Sequence, residues 1–374
     1  TQHAWMFLSS FEKLRKKLQL NDIVNMAHLG PRAFEEIGGE VVQTTSFAIR
    51  KSNIEGYKGT YCRLIEPTTQ QGKEEMFLAC ENRYYAEQEN FSKIPGSPMA
   101  YWISHAILQL FLTMHTFKHY GKSLQGTVTG DNETFMRFWF EVNSKKFSEL
   151  ASPNEGLKWF PYCKGGEFRK WYGNIVHVID WENDGFNIKN FYDSNGKLRS
   201  RPQNTQYFFH EGITWSSLTS GIFGGRYIDN SNTFSDIGPL VILNNTNDIP
   251  SVLAYMNSKV FQAILDICCT GLHYQNGVIG NLPCIGNELL TNNMTKVAME
   301  CIDTSHEDWD SFETSWDFKY HPLIREVSTI AEAFTLWQDE CNDRFNRLKV
   351  NEEKLNRIFI EIYGLQDELT PEVE

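Results

Sequence analysis

Residues 158–201, which open KWFPYCKGGEFRKWYGN and close KLRSRPQN, hold the residue types that grip a polyanion. They carry eight Lys/Arg against five Asp/Glu, with ten aromatics interleaved, in a chain whose net charge is −12. Guanidinium and ammonium groups bind phosphates; flat Trp and Tyr faces stack on bases or fill space beneath loops. Lys158, Lys164, Arg169, Lys170, Lys197, Arg199 and Arg201 are the candidate contacts to phosphates or guanine edges, with Trp171 and Tyr172 beside them. Within KGGEFRKWYGN, Gly165 and Gly166 allow close backbone approach. Upstream, TGDNETFMRFWFEV (129–142) sets a Gly-Asp-Asn turn before a hydrophobic strand. Such a turn presents backbone N–H groups to a phosphate, which adds Asp131 and Asn132 to the candidates; a plain hairpin turn is the commoner use of the same residues.

Other chemistries find weaker footing. Asp180, Glu182 and Asp184 could be the paired carboxylates of a glycosidase or a metal site, but DWENDG is also an ordinary turn. The ten histidines form no HExxH or HxH. No glycine-rich dinucleotide or P-loop fingerprint and no GxSxG elbow occurs. The eight cysteines include no CxxC pair, so metal-ligand spacing is absent and reduced thiols are expected. No metal is therefore expected.

The elements that must position these residues fall into blocks. Ser9–Leu20 reads as a helix, Ile23–Leu29, Glu40–Arg50 and Tyr57–Ile65 as strands, and 66–90 as a polar linker with some helix. Ser97 and Pro98 start a buried helix predicted to run to Tyr120. Short strands and turns then alternate to about Leu243. Asn257–Cys269 is a helix, and Leu355, Ile358, Phe359 and Ile362 stripe a last helix that stops at Gly364. From residue 299 onward 19 acids face 7 bases, so this segment holds all the net charge and residues 1–298 are neutral. That acidic segment is expected to face away from a nucleic acid. No apolar run is long enough to span a membrane, and no signal peptide opens the chain, so a cytoplasmic protein is expected.

These blocks resemble a known family. WMFLSSFEKLRKKL, MAHLGPRAFEEIGGEVVQTTSFAI, GSPMAYWIS, TGDNETFMRFWFEV, KWFPYCKGGEFRKWYGN, IDWENDG, RPQNTQYFFHEGITWS, AYMNSKVFQAILD, NLPCI and EKLNRIFIEIYGLQDELTPE are similar to the adenine-specific DNA methyltransferases of BREX phage-defence systems. The resemblance covers nearly the whole chain, and looser versions of some blocks occur in restriction-modification enzymes. It implies an α/β plus α+β fold: 1–65 as the C-terminal end of a Rossmann-like methyltransferase sheet, 66–90 as a linker, 91–298 as a mixed, β-rich target-recognition domain with helices, and 299–374 as an acidic helical segment. It implies S-adenosylmethionine as the full-length family's cofactor, double-stranded DNA as partner, and other phage-defence proteins as further partners. The cofactor motif and the Asn-Pro-Pro-Tyr motif of that family do not occur here, so no cofactor is expected for this chain and it should be inactive alone. The chain reads as a segment of something longer, with a sheet edge that would leave Trp5, Phe7 and Phe11 exposed. Phe34, in GPRAFEEIGGE, matches the aromatic that packs on the flipped adenine. The alternative is a non-catalytic DNA-specificity module of a restriction-modification system.

Overall fold

The computed structural model describes residues 1–34, 42–147, 156–219, 221–269, 273–286 and 289–373. By contact density the chain divides into two units, Thr1–Thr113 with Ile264–Thr270, and Met114–Ala263 with Gly271–Glu374.

In the first unit a helix, α1 (Glu12–Leu18), precedes a four-stranded mixed sheet: β1 (Asp22–Gly30), β2 (Thr44–Arg50), β3 (Lys58–Arg63) and β4 (Arg83–Glu87), in the order β2-β1-β3-β4. β1 runs parallel to β3; the other pairs are antiparallel. Residues 66–90, read from the sequence as a linker with some helix, contain a helix, α2 (Gln70–Leu78), capped by Thr69, and also the strand β4, which that reading did not include. The expected exposure of Trp5 and Phe7 is corrected: they are 6% and 9% exposed. A short 3-10 turn, His3–Met6, lays them with Met6 against Ile23, Met26, Tyr61 and Tyr101. The fully buried Arg15 holds that turn, donating to the carbonyls of Trp5, Leu8 and Gly96. Phe11 remains exposed. The long helix predicted from Pro98 is also corrected. Met99 N donates to Met6 O, which commits residues 98–102 to packing on the turn. Helix α3 therefore starts at His105, with Ser104 Oγ accepting from Ile107 N, and ends at Thr113.

In the second unit α4 (Phe117–Tyr120) leads into β5 (Gly121–Leu124). After it come α5 (Asn132–Phe135), β6 (Met136–Phe138), β7 (Trp159–Cys163), β8 (His177–Asp180), α6 (Glu182–Lys189), β9 (Gly212–Trp215), β10 (Gly225–Ile228), β11 (Thr233–Phe234) and β12 (Leu240–Leu243). They form two sheets, β10-β9-β12-β5 and β11-β7-β8-β6. Alternate residues of these strands, among them Phe160, Tyr162, Ile179, Phe234 and Leu240, join Trp181 and Phe208 in one buried core. Then come α7 (Ile249–Met256), α8 (Lys259–Cys268), whose residues from Ile264 onward are counted with the first unit, α9 (Asn276–Ile279), α10 (Asn292–Asp310) and α11 (Ile330–Tyr363). Thr329 caps α11 by accepting from Glu332 N, and Gly364 ends it in the left-handed conformation, φ 64°, at the predicted stop. Among the described residues no helix is long and apolar enough to cross a membrane.

Candidate nucleic-acid interface

The KGGEFRKWYGN loop is shaped by its glycines. Gly165 and Gly166 sit at φ 82° and 127°, where a side chain is strained. A Cβ on Gly173 would stand 2.7 Å from Arg169 Nε, because the guanidinium folds over that residue and donates to Tyr172 O at 2.9 Å. Trp171, itself at φ 69°, joins β10 through Trp171 N to Gly225 O and Tyr227 N to Trp171 O, both 2.8 Å.

The loop's charges point inward. Arg169 Nη2 lies 2.7 Å from Asp308 Oδ2, and its guanidinium stands over Trp309. Lys170 Nζ lies 3.0 Å from Glu352 Oε2, and the buried Trp171 donates to Glu352 Oε1 at 2.6 Å. The Tyr172 ring packs against His306, centroids 3.8 Å apart and planes tilted by 33°. The acidic helices α10 and α11 thus supply the counter-charges of the basic island, rather than turning away from it. Arg226, fully buried beneath the loop, donates to Arg169 O at 3.3 Å; burial pushes it down to about 10 and pushes the neighbouring Cys163 thiol up to about 12. Lys158 pairs with Asp180 at 3.3 Å, and Lys164 faces Asp236 at 3.9 Å with its pKa lowered by burial.

A second group is different. Val128 and Arg201 exchange two backbone hydrogen bonds, 3.0 and 2.8 Å, which lays the TGDN turn against the LRSRPQN segment. The contact needs glycine: Gly130 has φ 79°, and a Cβ there would meet the Arg199 backbone at 2.7 Å. Asp131 caps α5, accepting from Thr134 N at 3.1 Å and Thr134 Oγ1 at 3.0 Å. These bonds, the backbone one foremost, hold its carboxyl below the usual range, with the nearby Arg199 charge adding to them. Asn132 Oδ1 accepts from Thr129 Oγ1 at 2.7 Å. On the facing segment Asp193 Oδ1 accepts from Asn195 N and Lys197 N, fixing the DSNGK turn. Lys197, Arg199 and Arg201 are exposed, and none enters an ion pair among the described residues. Arg199 lies over the Phe191 ring at 4.8 Å. Sequence reasoning missed two neighbours: Lys122 on β5, whose Nζ meets Tyr207 Oη and lies over its ring, and Asn204, at φ 52°, which donates to Gln125 O at 2.8 Å. The continuation of RPQN into TQY was the available signal.

The remaining candidates stand apart. Asp180 accepts from Asn187 Nδ2 besides pairing with Lys158, and Asp184 pairs with Lys189, so these two carboxylates are engaged separately. His306, Asp310 and Asp317 bring ligand atoms within 4.8 Å of one another, in the way exposed acidic groups often stand without an ion. In the first unit Phe34 is 53% exposed on the segment that follows β1. Lys73, 4% exposed, donates to Leu29 O at 2.8 Å and Leu64 O at 2.7 Å, tying β1 to the stretch after β3.

Comparison with known proteins gives this arrangement a context. The chain is 43% identical over 391 aligned residues to the adenine-specific methyltransferase PglX of Lacticaseibacillus casei (strain Zhang), covering 100% of this chain. The chain is similar to adenine-specific methyltransferases over its whole length. A second relative, the adenine-specific methyltransferase BrxX of Escherichia coli O9:H4 (strain HS), is 34% identical over 99% of this chain. The chain spans only 32% and 30% of those proteins, at their C-terminal end. Among solved structures, the Type IIL restriction-modification enzyme MmeI in complex with DNA superposes with a TM-score of 0.54 and 10% identity, covering 99% of this chain and 47% of that one. That likeness is one of fold. No family model matches the chain.

Proposed function

We propose that this chain is the DNA-reading portion of an adenine-specific DNA methyltransferase of a phage-defence system. The observation that carries the reading is the group Lys197, Arg199 and Arg201: exposed cations that form no ion pair within 4 Å among the described residues, on a segment held by a glycine-tight contact to Val128 and Gly130. Cations left unpaired beside a rigid turn are suited to phosphates and to guanine edges. Arg169 and Lys170 are engaged by Asp308 and Glu352 on α10 and α11, and so tie the loop to those helices rather than offering free charge. In this reading residues 1–65 form the end of a Rossmann-like sheet, 91–298 the recognition domain, and Phe34 stacks on the extruded adenine. S-adenosylmethionine would serve the whole protein. Among the described residues of the first unit nothing fits that cofactor's glycine-rich turn: β1 ends at Gly30 and is followed by Pro31 and Arg32.

Binding of the chain to labelled duplex DNA across a salt series tests this. Replacing Arg199 and Arg201 with Ala should weaken binding to all sequences and flatten the salt slope by about one unit per lost phosphate contact. Arg169→Ala should leave the slope unchanged. An unchanged slope in the double variant refutes the assignment. A specificity module without catalytic relatives in the same protein is the alternative, which an Asn-Pro-Pro-Tyr motif in the upstream reading frame would exclude.

A further inference from the structure

Away from that group, β6 and the turn behind it build a column of rings. His177 and Phe138 stack with centroids 4.8 Å apart and planes 28° off parallel; Phe138 and Phe140 stack at 5.3 Å and 3°. The column ends in solvent. Phe140 is 62% exposed and Phe138 41%. The turn is fixed: Trp139 N donates to Val176 O and its indole to Thr314 O, each at 3.0 Å, while Glu141 Oε2 accepts from Phe138 N at 2.8 Å. Exposed phenyl rings held in a stack by three such anchors are preorganised for one more flat layer.

The surroundings state what that layer is. Between 136 and 147 there are three cations, Arg137, Lys145 and Lys146, and one acid, Glu141, which is already engaged. Arg137 and Lys158 both lie over Trp159, at 5.9 and 5.2 Å, and Lys145 and Lys146 are exposed on the next turn. A flat apolar face carrying negative charge is a nucleobase on its phosphate. Within a paired duplex base faces are covered by their neighbours, so the occupant must be unstacked.

We propose that Phe140, backed by Phe138 and His177, is a stacking platform for an unpaired base of bound DNA, with Arg137, Lys145 and Lys146 attracting its phosphates. This rests on the DNA-binding reading above.

The test uses the full chain, fluorescence anisotropy, and three labelled DNAs of one sequence: a paired duplex, the same duplex with two unpaired adenines, and the single strand. The wild type should prefer the DNAs with unpaired bases. Stacking contributes about 1–3 kcal/mol per base, so Phe140→Ala should weaken their binding by about 5- to 150-fold while paired-duplex affinity stays within about twofold. Phe140→Trp should keep the preference. Retained duplex binding shows that the variant is folded. Equal loss on all three DNAs, or no preference in the wild type, overturns the platform and leaves the DNA reading standing. Absence of any DNA binding removes both.

Discussion

Glu352→Ala should be the most damaging single change in the second unit outside its apolar core. The Glu352 carboxylate, on α11, accepts Lys170 Nζ at 3.0 Å and the Trp171 indole at 2.6 Å. Its side chain is 10% exposed and that of Lys170 18%, so solvent screens the pair little. Hydrogen bonds to a charged group contribute about 1.5–3 kcal/mol each, and removing one partner of a buried pair costs about 3–5 kcal/mol because the other charge stays behind. Lys170 keeps some solvent access, which puts the expected cost near the lower end, about 3 kcal/mol. For a unit of this size that lowers the melting temperature by roughly 6–12 °C. Replacing Lys170 with Met and Glu352 with Leu together removes both charges and strands only the indole N–H, so it should cost less than the single change, about 1–3 kcal/mol. Thermal melts of the three proteins read the totals. Hydrogen exchange at the Trp171 amide, which donates to Gly225 O, reads the loop itself. A cost below about 1 kcal/mol for Glu352→Ala, or a double variant worse than the single, would refute the view that this junction holds the loop to the helices.

Two further outcomes concern the first unit. His28, 4% exposed, shares a 2.9 Å contact with His3 and a 3.1 Å contact with Tyr101 Oη; burial first, then the charges of His3, Arg63 and Lys73, push it down to about 3. A base whose folded pKa lies below its unfolded value of about 6.5 stabilises fully above that value. Its contribution is lost as pH falls from 6.5 towards 3, by about 1.4 kcal/mol per unit well below 6.5. Exchange protection in β1 should fall accordingly, and His28→Gln should shallow the slope; an unchanged slope means the proton is taken up elsewhere. Lys73→Met should cost about 2–3 kcal/mol in melting experiments by stranding the Leu29 and Leu64 carbonyls, and a loss below about 1 kcal/mol would show that water replaces the ammonium.

What the sequence made legible here was what local chemistry decides. Gly364 ends α11 because the last turn needs a left-handed residue, and strand β1 lies within one residue of its predicted bounds because its apolar pattern is its own. Trp5 and Phe7 were misread because the carbonyl that fixes their turn is met by Met99, more than ninety residues away. The basic island shows the same limit at the candidate site. Arg169 and Lys170 stand in the densest cationic stretch of the chain, yet their partners lie 139 and 182 residues further on. Net charge along the sequence hinted at that pairing, since the neutral and acidic parts of the chain divide near residue 299, but charge counting cannot say which cation meets which carboxylate. A surplus of arginine in a window therefore does not mark an interface by itself. An exposed guanidinium marks one when the folded chain leaves it without a direct ion pair. By that criterion the weight moves about thirty residues along the same stretch, from Arg169 and Lys170 to Arg199 and Arg201. There a glycine-tight contact at Gly130 also sets where the backbone of the arginine segment lies.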